Sequence, residues 1–292
     1  MFSVVTDTSA NLPSALIAER NIELIPFSYY VEGEEKTCLD TESFDGKAYY
    51  DAMRNGVKVT TSQVTPQRYM EYMEPLLQQG KDLLFVGMSS GISGSYEAAQ
   101  VAAAYLLEKY PERTVKTFDT LAASLGEGIF VLKAAECRDC GKTMEETLTC
   151  LEELRPRLCQ IFTVDDLMFL RRSGRLSNFT AIMGTVLNIK PLLKGNEEGK
   201  IVTFAKVRGR RQSVEALAQR YDVWVKCPEG QAVCIAHAGC EEDARYLEDL
   251  LRRNHPPKEI LTVCYEPVTG SHVGPGTLAL FFQSEDGVRS RS

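Results

Sequence analysis

The chain has 292 residues, 44% of them hydrophobic and 25% charged, with a formal net charge of −7. That is room for two compact domains with a substantial core, in the ordinary balance of a soluble globular protein. The acidic balance argues against non-specific nucleic-acid binding, no apolar run approaches the length of a bilayer span, and Asp7 interrupts any N-terminal apolar leader, so a cytoplasmic location is expected.

Short apolar runs alternate with amphipathic segments through the first half. Ser3–Val5 reads as a strand, Pro13–Arg20 as a helix and Ile22–Tyr30 as a strand. Glu42–Arg54 and Pro66–Gln78 read as helices, Leu83–Val86 as a buried strand, Ser93–Lys109 as a helix and Val115–Phe118 as a strand. Helices are expected over Leu121–Cys137 and Met144–Arg155. This alternation predicts a three-layer N-terminal domain, a parallel sheet covered on both faces, over residues 1–158. From 159 to 292 the pattern predicts a mixed-sheet α/β domain. Its expected elements are strand Ile161–Val164, helices Asp166–Arg171 and Phe179–Leu187, and extended segments Lys190–Leu193 and Ile201–Ala205 around a turn at Gly195–Gly199. Helix Arg211–Tyr221, strand Ala232–Ala236, helix Glu241–Arg253, and strands Ile260–Cys264 and Thr277–Phe282 complete it.

Ligands of open parallel sheets bind beyond the carboxyl ends of the strands. Three loops are placed there: Thr6–Pro13, Thr60–Gln63 and Ser89–Ser95. The first two read equally well as helix caps, a task that suits Ser, Thr, Asp and Asn. The third follows a buried strand and carries Ser89, Ser90, Gly91, Ser93, Gly94 and Ser95 before an alanine-rich helix. Glycine lets backbone approach a ligand, and a helix N-terminus presents unpaired N–H groups. Together they suit an oxygen anion, phosphate or carboxylate.

Enzyme signatures mostly fail. Gly94 is followed by Ser95 and Tyr96, not by the lysine of a nucleotide-gripping loop. Gly91–Ser95 resembles a G-x-S-x-G elbow weakly, because Ser93 lies several residues past the strand. The histidines are His237, His255 and His272. His237 ends an apolar strand and reads as a packed residue or a base, His255 as solvated, and His272 as displayed by the Gly/Pro-rich loop Gly270–Gly276. No metal-ligand cluster and no cofactor motif is visible. The nine cysteines read as free thiols; Cys137 and Cys140 have redox spacing, but without a second pair or a nearby histidine they read as incidental.

Arg171, Arg172 and Arg175 cluster at a helix end, where cations suit the dipole and an arginine could fork onto a carboxylate. Arg208–Arg211 is a second basic cluster, read as a surface patch. Between them, Phe179–Leu193 is rich in apolar residues. Gly184, Thr185 and Asn188 within it would leave room for an apolar chain.

In order along the chain, these segments resemble the DegV family of bacterial lipid-binding proteins. Thr6–Pro13 resembles its T-D-S-T-A-D-L-P opening, and Thr61-Ser62-Gln63 with Pro66 its T-S-Q-P segment. Ser89–Ser95 resembles its S-S-G-L-S-G-T loop, Asp165–Pro191 its D-L-x-Y-L-K-K-G-G-R-I-S … L-x-I-K-P signature, and Ser271–Leu278 its H-x-G-P-G-T-L close. Ser173 replaces the first glycine of the G-G pair and Phe169 the usual tyrosine.

The resemblance implies two α/β domains with a long-chain fatty acid between them. It implies a carrier without its own catalysis: the fatty-acid-binding subunit of a fatty acid kinase, presenting the carboxylate to a separate ATP-dependent subunit that forms acyl phosphate for phospholipid synthesis. Thr61 and Ser93 would hold the carboxylate, Arg172 and His272 would support it, Ser62 and the Gly94 backbone would complete the network, and Arg175 would face the kinase partner. Burial of an acyl chain at roughly 0.8 kcal/mol per methylene suits such a carrier. Two alternatives stay open: a serine hydrolase acting on acyl esters through Ser93 with His272 or His237, and a binding module for a phosphorylated small molecule.

Overall fold

The computed structural model of the chain describes residues 2–177 and 188–291. It falls into two compact units, one of residues 1–44 and 59–155, the other of residues 45–58 and 156–292. One stretch of the N-terminal half therefore belongs with the C-terminal unit.

The first unit is built on a four-stranded parallel sheet. Strand β1 (Phe2–Asp7) lies between β2 (Ile22–Ile25) and β6 (Asp82–Gly87), with β7 (Val115–Asp119) at the edge. Val4, Val5, Leu83, Leu84, Phe85 and Val86 are buried. Their continuous apolar runs are what a strand covered on both faces requires. Covering helices include α1 (Ser14–Glu19), α3 (Pro66–Gln78), α4 (Ser95–Lys109), α5 (Leu125–Asp139) and α6 (Met144–Leu154). Helix α3 has Pro66 in its first turn, and the Thr65 hydroxyl accepts the Arg68 N–H at 3.2 Å. Helix α6 opens with a capping box between Thr143 and Glu146.

The expected strand over Ile22–Tyr30 is two strands in different sheets. Pro26 has no N–H for a ladder and ends β2, while the next N–H, of Phe27, donates to the Thr8 hydroxyl at 3.0 Å. The second piece, β3 (Ser28–Val31), is the centre of a small antiparallel sheet with β4 (Glu34–Thr37) and β5 (Val59–Ser62). Neither β4 nor β5 has an apolar alternation to read; β4 is Glu-Glu-Lys-Thr and wholly exposed. Helix α4 starts at Ser95 rather than Ser93, because Ser93 serves as a turn-former before it.

The second unit carries a six-stranded mixed sheet. Its order is β10 (Ile201–Arg208), β9 (Ile189–Gly195), β8 (Leu158–Thr163), β13 (Leu278–Gln283), β11 (Ala232–His237), β12 (Glu259–Cys264). Only β11 and β12 pair in parallel among these described strands. Helices α8 (Arg210–Trp224) and α9 (Glu241–Asn254) bury Val214, Leu217, Tyr221, Leu247 and Leu251 against Ile161, Val233, Ile235, Leu280 and Phe282. The short helices are α7 (Met168–Ser173) and α10 (Pro267–Val273). The expected helix Phe179–Leu187 and the room expected at Gly184 and Thr185 lie outside the described residues.

Helix α2 (Gly46–Arg54) is tied to this unit by three hydrogen bonds, each 2.8 Å long: Tyr50 hydroxyl to Tyr265 carbonyl, Tyr49 hydroxyl to Pro267 carbonyl, and Arg54 to Gly239 carbonyl. Asp45 caps it, accepting the Ala48 N–H at 2.9 Å, so it begins at Gly46 and not at Glu42.

Candidate functional site

In the first unit, β6 ends at Gly87 and the chain enters the serine loop. The Ser89 carbonyl accepts from the N–H groups of Ile92 and Ser93, and its hydroxyl accepts from Gly91 N–H at 3.1 Å. Ser93 Oγ accepts the Ser95 N–H at 3.2 Å and donates to Ser95 Oγ at 3.0 Å. Ser95 Oγ also accepts the Val64 N–H at 3.1 Å, which ties this loop to the end of β5. Thr61 and Ser62 are the last residues of β5, both half-buried, paired with Tyr29 and Ser28 of β3. Gln63 then packs onto Gly94, where a Cβ would lie 2.5 Å from Gln63 Oε1. The structure thus brings Thr61, Ser62, Ser93 and Gly94 into two adjoining segments at the carboxyl end of β6.

Beneath them lies a buried polar chain. Tyr69 hydrogen-bonds Ser95 and donates to Asp7 Oδ2 at 3.4 Å. Ser9 Oγ lies in hydrogen-bond contact with Asp7 Oδ1 and, at 2.6 Å, with Glu127 Oε2. Thr6 Oγ1 meets Glu127 Oε1 at 3.3 Å and Val86 carbonyl at 2.8 Å. Each hydroxyl has one proton to give and faces two acceptors. Ser9 stands between two carboxylate oxygens, so a proton on Asp7 or Glu127 completes both of its contacts. Burial is the main cause that raises Asp7 from its ordinary 3.8 to about 6, against the lowering effect of its hydrogen bonds from Ser9 and Tyr69. Glu127 was missed in the sequence; its one signal is a lone carboxylate in Leu125–Phe130, a Gly-flanked stretch of a buried helix.

In the second unit, Gly174 (φ 72°) ends α7 in the left-handed conformation. Arg172, exposed in its last turn, lies 5.9 Å from the Phe169 ring centroid. Arg175 is half-buried and donates to the Ser173 carbonyl at 2.5 Å. His272 is half-buried and sits in the last turn of α10, not in a loop. A helix forms over these Gly- and Pro-bearing residues because Pro267 suits a first turn and the buried Glu266 carboxylate accepts the N–H groups of Val268 and Thr269 at 2.6 and 2.5 Å. Burial, and secondarily the Arg175 charge, push His272 down to about 4, so its imidazole is neutral at pH 7. Three separated motif pieces meet behind this corner. Lys190 Nζ donates to Asp165 Oδ1 at 3.0 Å, and a Cβ on Gly276 (φ 79°) would stand 2.1 Å from Asp165 Oδ2.

Ser93 donates its proton to another hydroxyl, not to a general base. This arrangement gives no support to the serine hydrolase. No group of three or more His, Cys, Asp or Glu suited to a metal ion occurs among the described residues, and no described helix is long and apolar enough to cross a membrane.

The model of the family described as "Uncharacterised protein, DegV family" matches residues 1–285. The chain belongs to the DegV family. A DegV domain-containing protein of Clostridium perfringens is 38% identical over 281 residues, covering 96% of this chain and 97% of that one. The DegV fold is shared with a solved DegV family protein from Thermus thermophilus, described by its fatty acid binding, with a TM-score of 0.86 and 29% identity over 97% of this chain and 99% of that one. It is shared also with DegV of Bacillus subtilis, a fatty acid binding protein, with a TM-score of 0.82 and 27% identity over 97% and 99% of the two chains.

Proposed function

We propose that this DegV chain binds a long-chain fatty acid and presents its carboxylate to a separate ATP-dependent kinase subunit, without catalysis of its own. The observation that carries this reading is the junction of Thr61–Val64 with Ser93–Ser95, which gathers hydroxyls and backbone N–H groups at one strand end. The fatty acid binding of the Thermus thermophilus and Bacillus subtilis relatives supports reading the anion as a carboxylate. Thr61, Ser62, Ser93 and Gly94 serve as its cradle. Arg172 supplies charge, and neutral His272 an N–H donor. Arg175 faces the kinase subunit. The apolar chain supplies most of the affinity, so the head group needs only to be satisfied and oriented.

Protein purified from a bacterial host is expected to release a stoichiometric fatty acid on denaturing extraction, read by mass spectrometry. Repeated extracts without lipid, together with no binding of added fatty acid, would sink the reading. Ser93→Ala and Thr61→Ala each remove a hydrogen bond to a charged group, about 1.5–3 kcal/mol where buried. That corresponds to roughly a tenfold to hundredfold loss of affinity with the fold retained. Acyl phosphate formation in the presence of a kinase subunit and ATP-Mg should fall further than affinity does. Equal losses in the two assays would mean that these hydroxyls do not orient the carboxylate for transfer.

A further inference from the structure

Cys137 and Cys140 are the pair that sequence spacing singles out, but the structure separates their roles. Cys140 caps the end of α5 and is exposed, while Cys137 is buried at 2% exposure. The α5 terminus is a Schellman turn: Gly141 (φ 79°) is left-handed and the Lys142 N–H donates to the Cys137 carbonyl at 3.0 Å. That turn folds Lys142 back over the Cys137 level of the helix. Helix α6 then returns and brings a third thiol, Cys150, to the same place. The Cys137 and Cys150 side chains are close enough to act on one another, and Lys142 Nζ donates to Cys150 Sγ at 3.0 Å. A second ammonium, Lys133, interacts with both thiols while paired to Glu136 at 2.9 Å.

We infer that Cys150 and Cys137 form a peroxide-oxidisable dithiol, with Cys150 as the attacking thiol, Lys142 as its positioning cation and Cys137 as the resolving thiol. The geometry divides the roles. Cys150 is partly exposed and within reach of a small oxidant, whereas Cys137 reaches solvent hardly at all. An ammonium hydrogen bond to sulfur is strongest when that sulfur is negative, the form in which a thiol attacks. Burial holds the Cys137 thiol above its ordinary range, which suits a group that keeps its proton until the second step.

In the first step the Cys150 sulfur attacks the terminal oxygen of a hydroperoxide. The O–O bond breaks, an alcohol leaves (water, from hydrogen peroxide), and the sulfur is oxidised by two electrons to a sulfenic acid. In the second step the Cys137 sulfur attacks the Cys150 sulfur. The S–S bond forms as the S–O bond breaks, and the Cys137 proton leaves with the hydroxyl as water. Two thiols and one hydroperoxide yield one disulfide, one alcohol and one water. The product staples α5 to α6, and a thiol reductant reverses it.

The test uses the full chain, fully reduced and then treated with hydrogen peroxide. Peptide mass spectrometry should find Cys137 linked to Cys150, and dithiothreitol should remove the link. Cys150 should be oxidised ahead of the exposed Cys140 and Cys227. In Cys137→Ala a sulfenic acid should persist on Cys150 and be trapped by dimedone. Lys142→Met should slow the oxidation about tenfold and Lys142→Arg should restore it, which a structural role for this exposed side chain would not produce. The inference is overturned if Cys140 or Cys227 oxidises before Cys150, if the bond formed joins Cys137 to Cys140, or if Lys142→Met leaves the rate unchanged.

Discussion

Gly270→Ala is expected to destabilise the second unit by about 3 kcal/mol, the upper end of what overpacking a well-filled core costs. The methyl would sit 1.8 Å from the Tyr50 hydroxyl oxygen and 2.9 Å from the ring carbon that bears it. Tyr50 is fully buried, its ring meets Tyr49 edge-on at 5.1 Å between centroids, and its hydroxyl holds the Tyr265 carbonyl. It can yield only by breaking that bond and shifting α2. The unique tryptophan, Trp224, lies in the core cluster of the same unit, so its fluorescence during urea unfolding reports on the right part of the molecule. Tyr50→Phe alone should cost about 1 kcal/mol through the lost hydrogen bond. Adding it to Gly270→Ala removes the closest clash, so the double variant should be more stable than Gly270→Ala alone. A purely additive cycle would mean the clash is not with Tyr50.

The second large effect is a pH dependence seated in the first unit. Asp7 binds its proton more tightly in the folded chain than in an unfolded one, about 6 against 3.8. Below pH 3.8 the group is protonated in both states and takes nothing from stability. Between pH 3.8 and about 6 the unfolded chain gives up this proton while the folded chain keeps it, so stability falls by something on the order of 3 kcal/mol, and above about 6 the folded chain carries the buried charge. Asn at position 7 keeps acceptors for the Ser9 N–H and hydroxyl and removes the charge. Asp7→Asn is therefore expected to flatten the stability profile between pH 4 and 6 and to be more stable than the parent at pH 7.5. A parent-like slope in the variant, measured by denaturation followed by circular dichroism, would assign the titration elsewhere. His272 acts in the opposite sense: held near 4 against an ordinary 6.5, it withdraws stability as pH falls through that window. Subtracting variant from parent at each pH cancels that contribution.

What could be read from the sequence follows from what leaves a local trace. Buried parallel strands leave one: Leu83–Val86 is apolar on both faces because both faces are covered. The serine loop leaves one, because Gly and Ser punctuate a strand-to-helix turn. In the small antiparallel sheet only β3, with its Tyr-Tyr-Val run, leaves one; β4 and β5 leave none, since they are polar and largely uncovered and are set by pairing with β3. Helix α10 contradicts its own propensities and is imposed by the buried Glu266 cap. The Asp7–Ser9–Glu127 contacts join positions more than a hundred residues apart, with |i−j| of 118 for Ser9 and Glu127, a span no local pattern crosses. The Cys137–Cys150 contact is hidden for the same reason on a smaller scale: sequence spacing favours Cys140, and the hairpin of α5 and α6 favours Cys150.

Helix α2 also sets an order of events during synthesis. Its anchor Tyr50 leaves the ribosome well before its acceptor Tyr265, which follows 215 residues later. At about 5–20 residues per second, that separation lasts roughly 10 to 40 s. Throughout that interval Tyr50 and Met53 have no finished core to enter, while the first unit, whose residues end at Arg155, can already assemble around the gap. The nascent chain thus holds one amphipathic helix in waiting, whose Tyr50 and Met53 face is a natural stretch for a chaperone to shield until the last strands emerge.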